Sequence, residues 1–311
     1  MTTILTDHDL DNDAAMGLAL EAIDKVLRIK AEGLLIAPPR HVVPFQPSGS
    51  MSFTIGGTAG DLGLAGFRAY CDFDQARHDQ VVAVWHCETG ALAGVVLGRR
   101  LGELRTGAIG GIAIKLMSRP DSATLGVVGA GRQAFMQIAA ARQLRPLTRV
   151  KVYSRDADNR TRFADKIAEP FELEAEPVET ARDAVRDVDI VVTATPSTSP
   201  VIEAGWLAPG THVTSVGPKL DGASEIGLDI ARAAAVIATD SAAQAHGYGK
   251  PFFLKGDAGG PKMVELDEIL VGDAAGRPDE QAITLFCSTG LAGTEVHLAA
   301  RLIAAMGGAE Q

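Results

Sequence analysis

Cysteine is scarce: Cys71, Cys87 and Cys287 are the only three in 311 residues, and no CxxC pair occurs. Three thiols cannot all pair with one another, so the chain is read as having reduced, core-type cysteines suited to a reducing compartment. A basic excess is missing too. Lys and Arg number 29 against 39 Asp and Glu, a formal charge of −10 with no clustered basic stripe. A phosphate backbone would meet a repelling field, which argues against nucleic acid as a partner. No apolar span reaches 18 residues, and the opening MTTILTDHDLDNDAAM carries aspartates where a signal peptide needs a basic start and an apolar run. No membrane partner and a cytoplasmic location are therefore expected. The seven histidines are scattered, so no catalytic metal is expected. Internal repeats and low-complexity tracts are also lacking.

What is present is an ordinary globular composition, 46% hydrophobic and 22% charged. At roughly 100–200 residues per domain the length suggests two domains. Residues 13–31 place Met16, Leu18, Ala19, Ile23, Val26 and Leu27 near one helical face. From Pro38 to Gly98 the texture changes to short runs rich in Val, Phe and Thr (HVVPF, SMSFTIGG, LAGFRAYCDF, QVVAVWHC, ALAGVVLG), separated by turn residues. These predict a mainly antiparallel sheet, with a hairpin at ETG, residues 88–90. Helical spacing returns over residues 100–117.

After Arg119-Pro120, short apolar strands alternate with helical stretches: ATLGVVG, a helix over about 132–144, RVKVYS, a helix near 158–168, then DIVVTAT, THVTSVG and AAVIATD. Alternation of that kind predicts an α/β doubly wound domain with a parallel sheet covered on both faces. The expected organisation is a domain over residues 1–118, completed by a C-terminal helix in 291–311, and a dinucleotide-binding domain over 119–290.

Gly129-Ala130-Gly131-Arg132-Gln133-Ala134 fits GxGxxA directly after a strand and at the start of a helix. Gly129 allows the tight turn, Gly131 lets the backbone approach a pyrophosphate, and Ala134 permits close helix–strand packing. The second strand ends in Ser154-Arg155 where an NAD-selective site would carry an acid. A hydroxyl and a guanidinium suit a 2′-phosphate, so NADP(H) is favoured. The alternative is NAD(H), with Asp156 on the ribose. Thr195, Pro196 and Ser197, and Val216 and Gly217, follow later strands, where ligands of open α/β sheets collect.

PPR at 38–40, ETGALAGVVLG at 88–98, LRTGA at 104–108, VVGAGRQA at 127–134, VYSR at 152–155, SVGPKLDGASEI at 215–226 and STGLAGTE at 288–295 together resemble the ornithine cyclodeaminase/mu-crystallin family. That family also contains archaeal-type alanine dehydrogenases, ketimine reductases and pyrroline-2-carboxylate reductases. The resemblance implies a Rossmann domain beside an α+β dimerisation and substrate domain, and hence a homodimer. It implies a substrate carboxylate held by Arg40, Arg68 and Arg105, with Thr106 and Glu295 toward the cofactor.

Two positions depart from the family pattern. Arg68 stands where a lysine is usual, and Lys219 stands where cyclodeaminases place a catalytic aspartate, with Asp221 two residues on. Lys219 and Arg68 are thus the expected catalytic residues, Lys219 delivering a proton if neighbouring cations lower its pKa. The expected activity is NAD(P)H-dependent reduction of an imine next to a carboxylate, or amino-acid dehydrogenation in reverse. The rivals are ammonia-eliminating cyclisation with bound NAD and a non-catalytic NADPH-binding role. A lid is a further reading of the Gly-rich loop carrying His246, Tyr248 and Lys250.

Overall fold

The computed structural model describes residues 2–12, 14–45, 49–60, 63–73, 79–247, 249–254 and 263–307. The chain opens with β1 (Thr3–Leu5), α1 (Ala14–Ala31), β2 (Leu35–Ile36), β3 (His41–Pro44), β4 (Ser50–Thr58), β5 (Leu64–Asp72), β6 (Gln80–His86), β7 (Leu92–Leu97) and α2 (Arg100–Met117). The apolar stripe predicted for α1 is buried, with Ile23, Val26 and Leu27 fully enclosed. The sheet order is β1-β7-β6-β5-β4-β2, and β3 pairs with β4 off this path. Strands β4 to β7 pair antiparallel, while β1 adds parallel to β7 through Thr3 opposite Gly94. That parallel strand was not visible in the sequence, because three residues are too few to show a period.

The second stretch runs β8 (Thr124–Val128), α3 (Arg132–Leu144), β9 (Arg149–Tyr153), α4 (Ala157–Phe171), β10 (Glu174–Pro177), α5 (Ala181–Val185), β11 (Ile190–Thr193), β12 (His212–Ser215), β13 (Lys219–Leu220), β14 (Ala223–Ser224), α6 (Leu228–Ala233), β15 (Val236–Thr239), α7 (Ala242–Gly247), β16 (Met263–Glu265), α8 (Leu266–Val271) and β17 (Thr284–Cys287). Eight strands form one sheet in the order β10-β9-β8-β11-β12-β17-β15-β16. All seven neighbouring pairs are parallel. Strand order reverses between β8 and β11, the switch point at which open α/β sheets bind ligands. Helix α9 (Thr294–Gly307) closes the described chain.

The chain divides into two units, residues 1–108 with 290–311, and residues 109–289. The first division falls within α2, and the expected boundary at residues 118 and 119 lies just past that helix. Helix α9 belongs to the first unit, where it packs on α1 and on strands β1 and β4 to β7.

The core of the second unit carries an acid-sensitive group. His212, on central strand β12, is fully buried, with its ring nitrogens 2.9 Å from Thr284 Oγ1 and 3.0 Å from Thr214 Oγ1. Burial, reinforced by the positive charges of Arg277 and Arg145, lowers its pKa to about 3. An unfolded histidine protonates near pH 6.5. As pH falls below that value the unfolded chain takes up the proton first, so this contribution is complete above about pH 6.5 and is lost toward pH 3. His212→Gln should therefore flatten the fall of the urea midpoint over that window, and parallel curves for the variant and the wild type would refute the assignment.

Candidate functional site

The second unit gathers one group of expected residues around a cavity of about 840 Å³ lined by Gly129, Ala130, Gly131, Ser154, Arg155, Thr195, Pro196 and Ser197, among others. It sits at the carboxyl ends of β8, β9 and β11. Gly129 has φ +116, and a Cβ there would stand 2.3 Å from the Ala194 carbonyl oxygen, so only glycine makes this turn. A Cβ on Gly131, by contrast, would meet nothing within 4 Å. Helix α3 begins at Gly131 with no side-chain cap, leaving its N-terminal end available to an anion. This cradle fits a dinucleotide pyrophosphate. Arg132 is exposed and Gln133 half-buried, both in the first turn of α3 and outside the cavity lining.

At the β9 end Arg155 is exposed on the cavity wall. Asp156 caps α4 instead of standing free, its Oδ1 accepting the Asn159 N–H at 2.6 Å. Arg160 Nη1 donates to the Ser154 carbonyl oxygen at 3.2 Å.

Glu225, to which the motif at 215–226 attaches no role, is the hub of the strand ends. Its Oε1 accepts from Thr193 Oγ1 (2.9 Å), Ser215 Oγ (2.9 Å) and the Gly217 N–H (2.6 Å). Its Oε2 accepts from the Thr195 N–H (2.9 Å) and Thr195 Oγ1 (2.8 Å). The side chain is wholly buried. One carboxylate thus joins the turn after β11, which lines the cavity, to the turn after β12, which holds Val216 and Gly217.

Lys219 is not a surface-loop lysine. It lies in β13, buried, with Nζ donating to the carbonyl oxygens of Ser215 (3.2 Å) and Gly217 (2.5 Å). Burial lowers its pKa, against the opposing influence of Cys287, Glu225 and Asp240. The expectation that neighbouring cations would do this is corrected: desolvation does. Asp221 is exposed in the turn between β13 and β14.

In the first unit Arg68 reaches from β5 across to α2, where a Cβ on Gly102 would stand 2.7 Å from its Nη2. Its Nε and Nη2 both donate to Gln80 Oε1 (2.9 and 2.7 Å), and its Nη1 donates to Glu295 Oε1 (2.9 Å). Arg105 Nη2 pairs with the same oxygen at 2.8 Å. Glu295, expected toward the cofactor, is placed here as the shared counter-ion of two arginines within the first unit. Burial alone would raise its pKa, but Arg105 and Arg68 prevail and hold it at about 2. Arg40 and Arg68 lie 5.7 and 4.5 Å from the centroid of the Tyr70 ring. The three expected arginines therefore converge. Arg68 is bonded on two sides, by Gln80 and by Glu295, and a guanidinium does not deprotonate in proteins. Thr106 bonds its own helix, its hydroxyl donating to the Gly102 carbonyl oxygen at 2.8 Å.

His246 ends α7 with Nδ1 2.7 Å from the Ala242 carbonyl oxygen, and Tyr248 lies outside the described residues. Among the described residues no three His, Cys, Asp or Glu side chains are grouped to hold a metal, and no helix is long and apolar enough to cross a membrane.

Comparison with known proteins finds relatives along nearly the whole chain. The alanine dehydrogenase of Archaeoglobus fulgidus is 30% identical over 305 residues, spanning 96% of this chain and 93% of its own. The structure of Thermococcus litoralis Δ1-pyrroline-2-carboxylate reductase with NADH and L-proline superposes with a TM-score of 0.88 at 26% identity, covering 98% of each chain. An archaeal alanine dehydrogenase dimer with bound NAD also gives 0.88, at 27% identity, over 100% of this chain and 97% of that one. The family model of the ornithine cyclodeaminase/mu-crystallin proteins matches residues 1–305, and the chain belongs to that family.

Proposed function

We propose that this protein is an NAD(P)H-dependent reductase of C=N bonds adjacent to a carboxylate, working in reverse as an amino-acid dehydrogenase. The observation that carries the reading is the arginine cluster of the first unit, in a chain whose second unit builds a dinucleotide cradle. When bound, the reduced dinucleotide supplies a hydride to the imine carbon, and a proton adds at nitrogen, so that C=N becomes CH–NH. Arg105 and Arg40 hold the substrate carboxylate, and guanidinium geometry suits that planar anion. Lys219 Nζ keeps one proton beyond the two it gives to backbone carbonyls, and its lowered pKa makes that proton easier to release than one on an exposed lysine. The relatives' own activities support the class: the chain resembles one protein that reduces a cyclic imino acid and another that is an alanine dehydrogenase.

The decisive measurement follows dinucleotide absorbance at 340 nm against a panel of cyclic imino acids and of 2-oxo acids with ammonia or methylamine. Stoichiometric oxidation with one substrate class is expected. Ammonia release from a diamino acid without net oxidation would replace this reading with cyclodeamination, and dinucleotide binding without any turnover would replace it with a binding role.

The favoured dinucleotide is NADP(H), because Arg155 stands at the ribose end of the cavity while Asp156 is committed to capping α4. A charge-assisted contact of this kind is worth about 1.5–3 kcal/mol. Arg155→Ala should weaken NADPH binding about tenfold or more and leave NADH within about twofold, as read by fluorescence titration. Equal losses for the two dinucleotides would remove Arg155 from the phosphate site.

The molecule is further read as a homodimer. Alternate positions of the first-unit sheet carry Ile4, Val95, Phe67 and Ile55 in register across β1, β7, β5 and β4, with Ile4 and Ile55 about 60% exposed. The row continues through buried Ala83 of β6, and its exposed isoleucines at the two ends would gain cover from a second copy; the NAD-bound archaeal relative is a dimer.

A further inference from the structure

Arg68 is enclosed on three sides, and one of them carries no hydrogen bond. Its nitrogens bond Gln80 and Glu295, and its guanidinium carbon lies over the ring of Tyr70, 4.5 Å from the centroid. Arg68 is only 7% exposed, so its guanidinium is a fixed point of the first unit. The same ring also meets Arg40, whose guanidinium carbon stands 5.7 Å from the centroid. Both distances fall within the roughly 6 Å over which a ring face attracts a cation.

Strand register shows how one ring serves both arginines. Tyr70 and Arg68 are two residues apart on β5 and project from one face of the sheet. Across on β4, Tyr70 is opposite Ser52 and Arg68 is opposite Thr54. Strand β3 pairs with β4 in turn, His41 opposite Phe53 and Val42 opposite Ser52, so Arg40 enters beside Thr54. Ser52 and Thr54, which lie between the two arginines, are short, and Thr54 Oγ1 makes no hydrogen bond. The Tyr70 ring, half-buried, is the group long enough to reach from β5 to the entry of β3.

The chemical nature of that group matters. An acid at position 70 would bind the guanidiniums itself and compete with a substrate carboxylate. An aliphatic side chain would offer packing without electrostatic attraction. A ring face attracts a cation through its quadrupole and adds no negative charge of its own. We propose that Tyr70 is a positioning residue of the carboxylate site, its π face holding the Arg40 guanidinium in place beside the fixed Arg68. Held in this way, Arg40 loses less side-chain entropy when a carboxylate binds, which raises affinity without a new contact to the ligand. The proposal rests on the reductase reading in taking a carboxylate as the ligand, and it deepens that reading by naming what sets the clamp.

The test grades the ring's electrostatics at constant shape. In the intact protein Tyr70 is replaced by phenylalanine and by its mono-, di- and trifluorinated forms, which weaken the π face stepwise, and separately by leucine. Binding of pyruvate and propionate is titrated calorimetrically, and dinucleotide affinity is read by fluorescence. Tyr70→Phe should bind the carboxylates within about twofold of wild type. Affinity should then fall with each fluorine, and Tyr70→Leu should lose about five- to tenfold, the size of a partly desolvated cation–π contact. Dinucleotide affinity should stay within about twofold throughout. With an imine substrate, KM should rise by the same factor while kcat holds, as expected when binding alone is weakened. Equal carboxylate affinity across the fluorinated series overturns the proposal, because a purely structural ring is indifferent to its quadrupole. A loss in Tyr70→Phe as large as that in Tyr70→Leu also overturns it, by assigning the effect to the hydroxyl. Failure of the wild type to bind either carboxylate does the same. The arms separate the two ideas: if no imine is ever reduced the reductase reading falls, while the carboxylate titrations still decide the role of Tyr70.

Discussion

Glu225→Ala is expected to destabilise the second unit by about 3–5 kcal/mol and to weaken dinucleotide binding at least tenfold. The carboxylate accepts five hydrogen bonds and is wholly buried. The three hydroxyls can rotate toward other acceptors, but the N–H groups of Thr195 and Gly217 cannot, and each buried donor left unpaired costs about 1–3 kcal/mol. Isosteric Glu225→Gln should rescue little. A backbone N–H points at each carboxylate oxygen, Gly217 at Oε1 and Thr195 at Oε2, so either orientation of the amide sets its NH2 against a donor. Loss of affinity follows because Thr195 to Val201 line the cavity and are anchored through this carboxylate. Urea denaturation and a dinucleotide titration read the two effects. A Gln variant as stable as wild type would mean that the hub is dispensable.

Glu295→Ala is expected to cost a comparable amount in the first unit, because it strands two buried guanidiniums that now share one oxygen. Removing one partner from a buried ion pair typically costs about 3–5 kcal/mol. The same group predicts an acid limb. Its folded pKa of about 2 lies below the ordinary carboxylate value of 4.5, so its contribution is fully present above about pH 4.5. It is lost as pH falls toward 2, where the folded carboxylate finally takes a proton. Glu295→Gln should be less stable than wild type at neutral pH and should converge with it near pH 2. Urea midpoints from pH 2 to 6 test this, and a constant gap across the range would rule out a titrating Glu295.

The readable parts of the molecule were those with a local period or a fixed turn. The GxGxxA turn, β8, α3 and β9 follow from apolar runs ended by glycine, and α2 forms over residues 100–117 despite its glycines because Leu104, Ala108, Ile112 and Ile114 still bury on its faces. Strand β10 was illegible because Glu174-Ala175-Glu176-Pro177 lies at a sheet edge, where solvent removes the need for apolar alternation. Strand β17 was missed for the opposite reason. Thr284 to Cys287 are all buried, so four residues show no contrast between faces. At the site, Arg40, Arg68 and Arg105 were named through family likeness, but no spacing rule reveals that Glu295, 227 residues after Arg68, is the counter-ion of Arg68 and Arg105. Glu225 was hidden for the same reason, since a buried acid is defined by donors that the fold brings to it.

The placement of α9 has a consequence for the order in which the molecule is made. Strands β5 and β7 give up side chains at Gly66 and Gly94, where Cβ atoms would stand 3.1 Å from Val296 and 2.7 Å from Ile303. Together with Leu298, Ala299 and Leu302, these α9 residues fill the core over that sheet. During synthesis the first 108 residues therefore leave the ribosome long before the segment that seals them, while residues 109–289 are contiguous and carry their own core. Vectorial synthesis should let the second unit fold first and hold the earlier-made sheet waiting, with its apolar face uncovered, for nearly two hundred residues of translation. The part of the chain that emerges first is thus the part that matures last, and the exposure to misassembly falls on the arginine-bearing sheet.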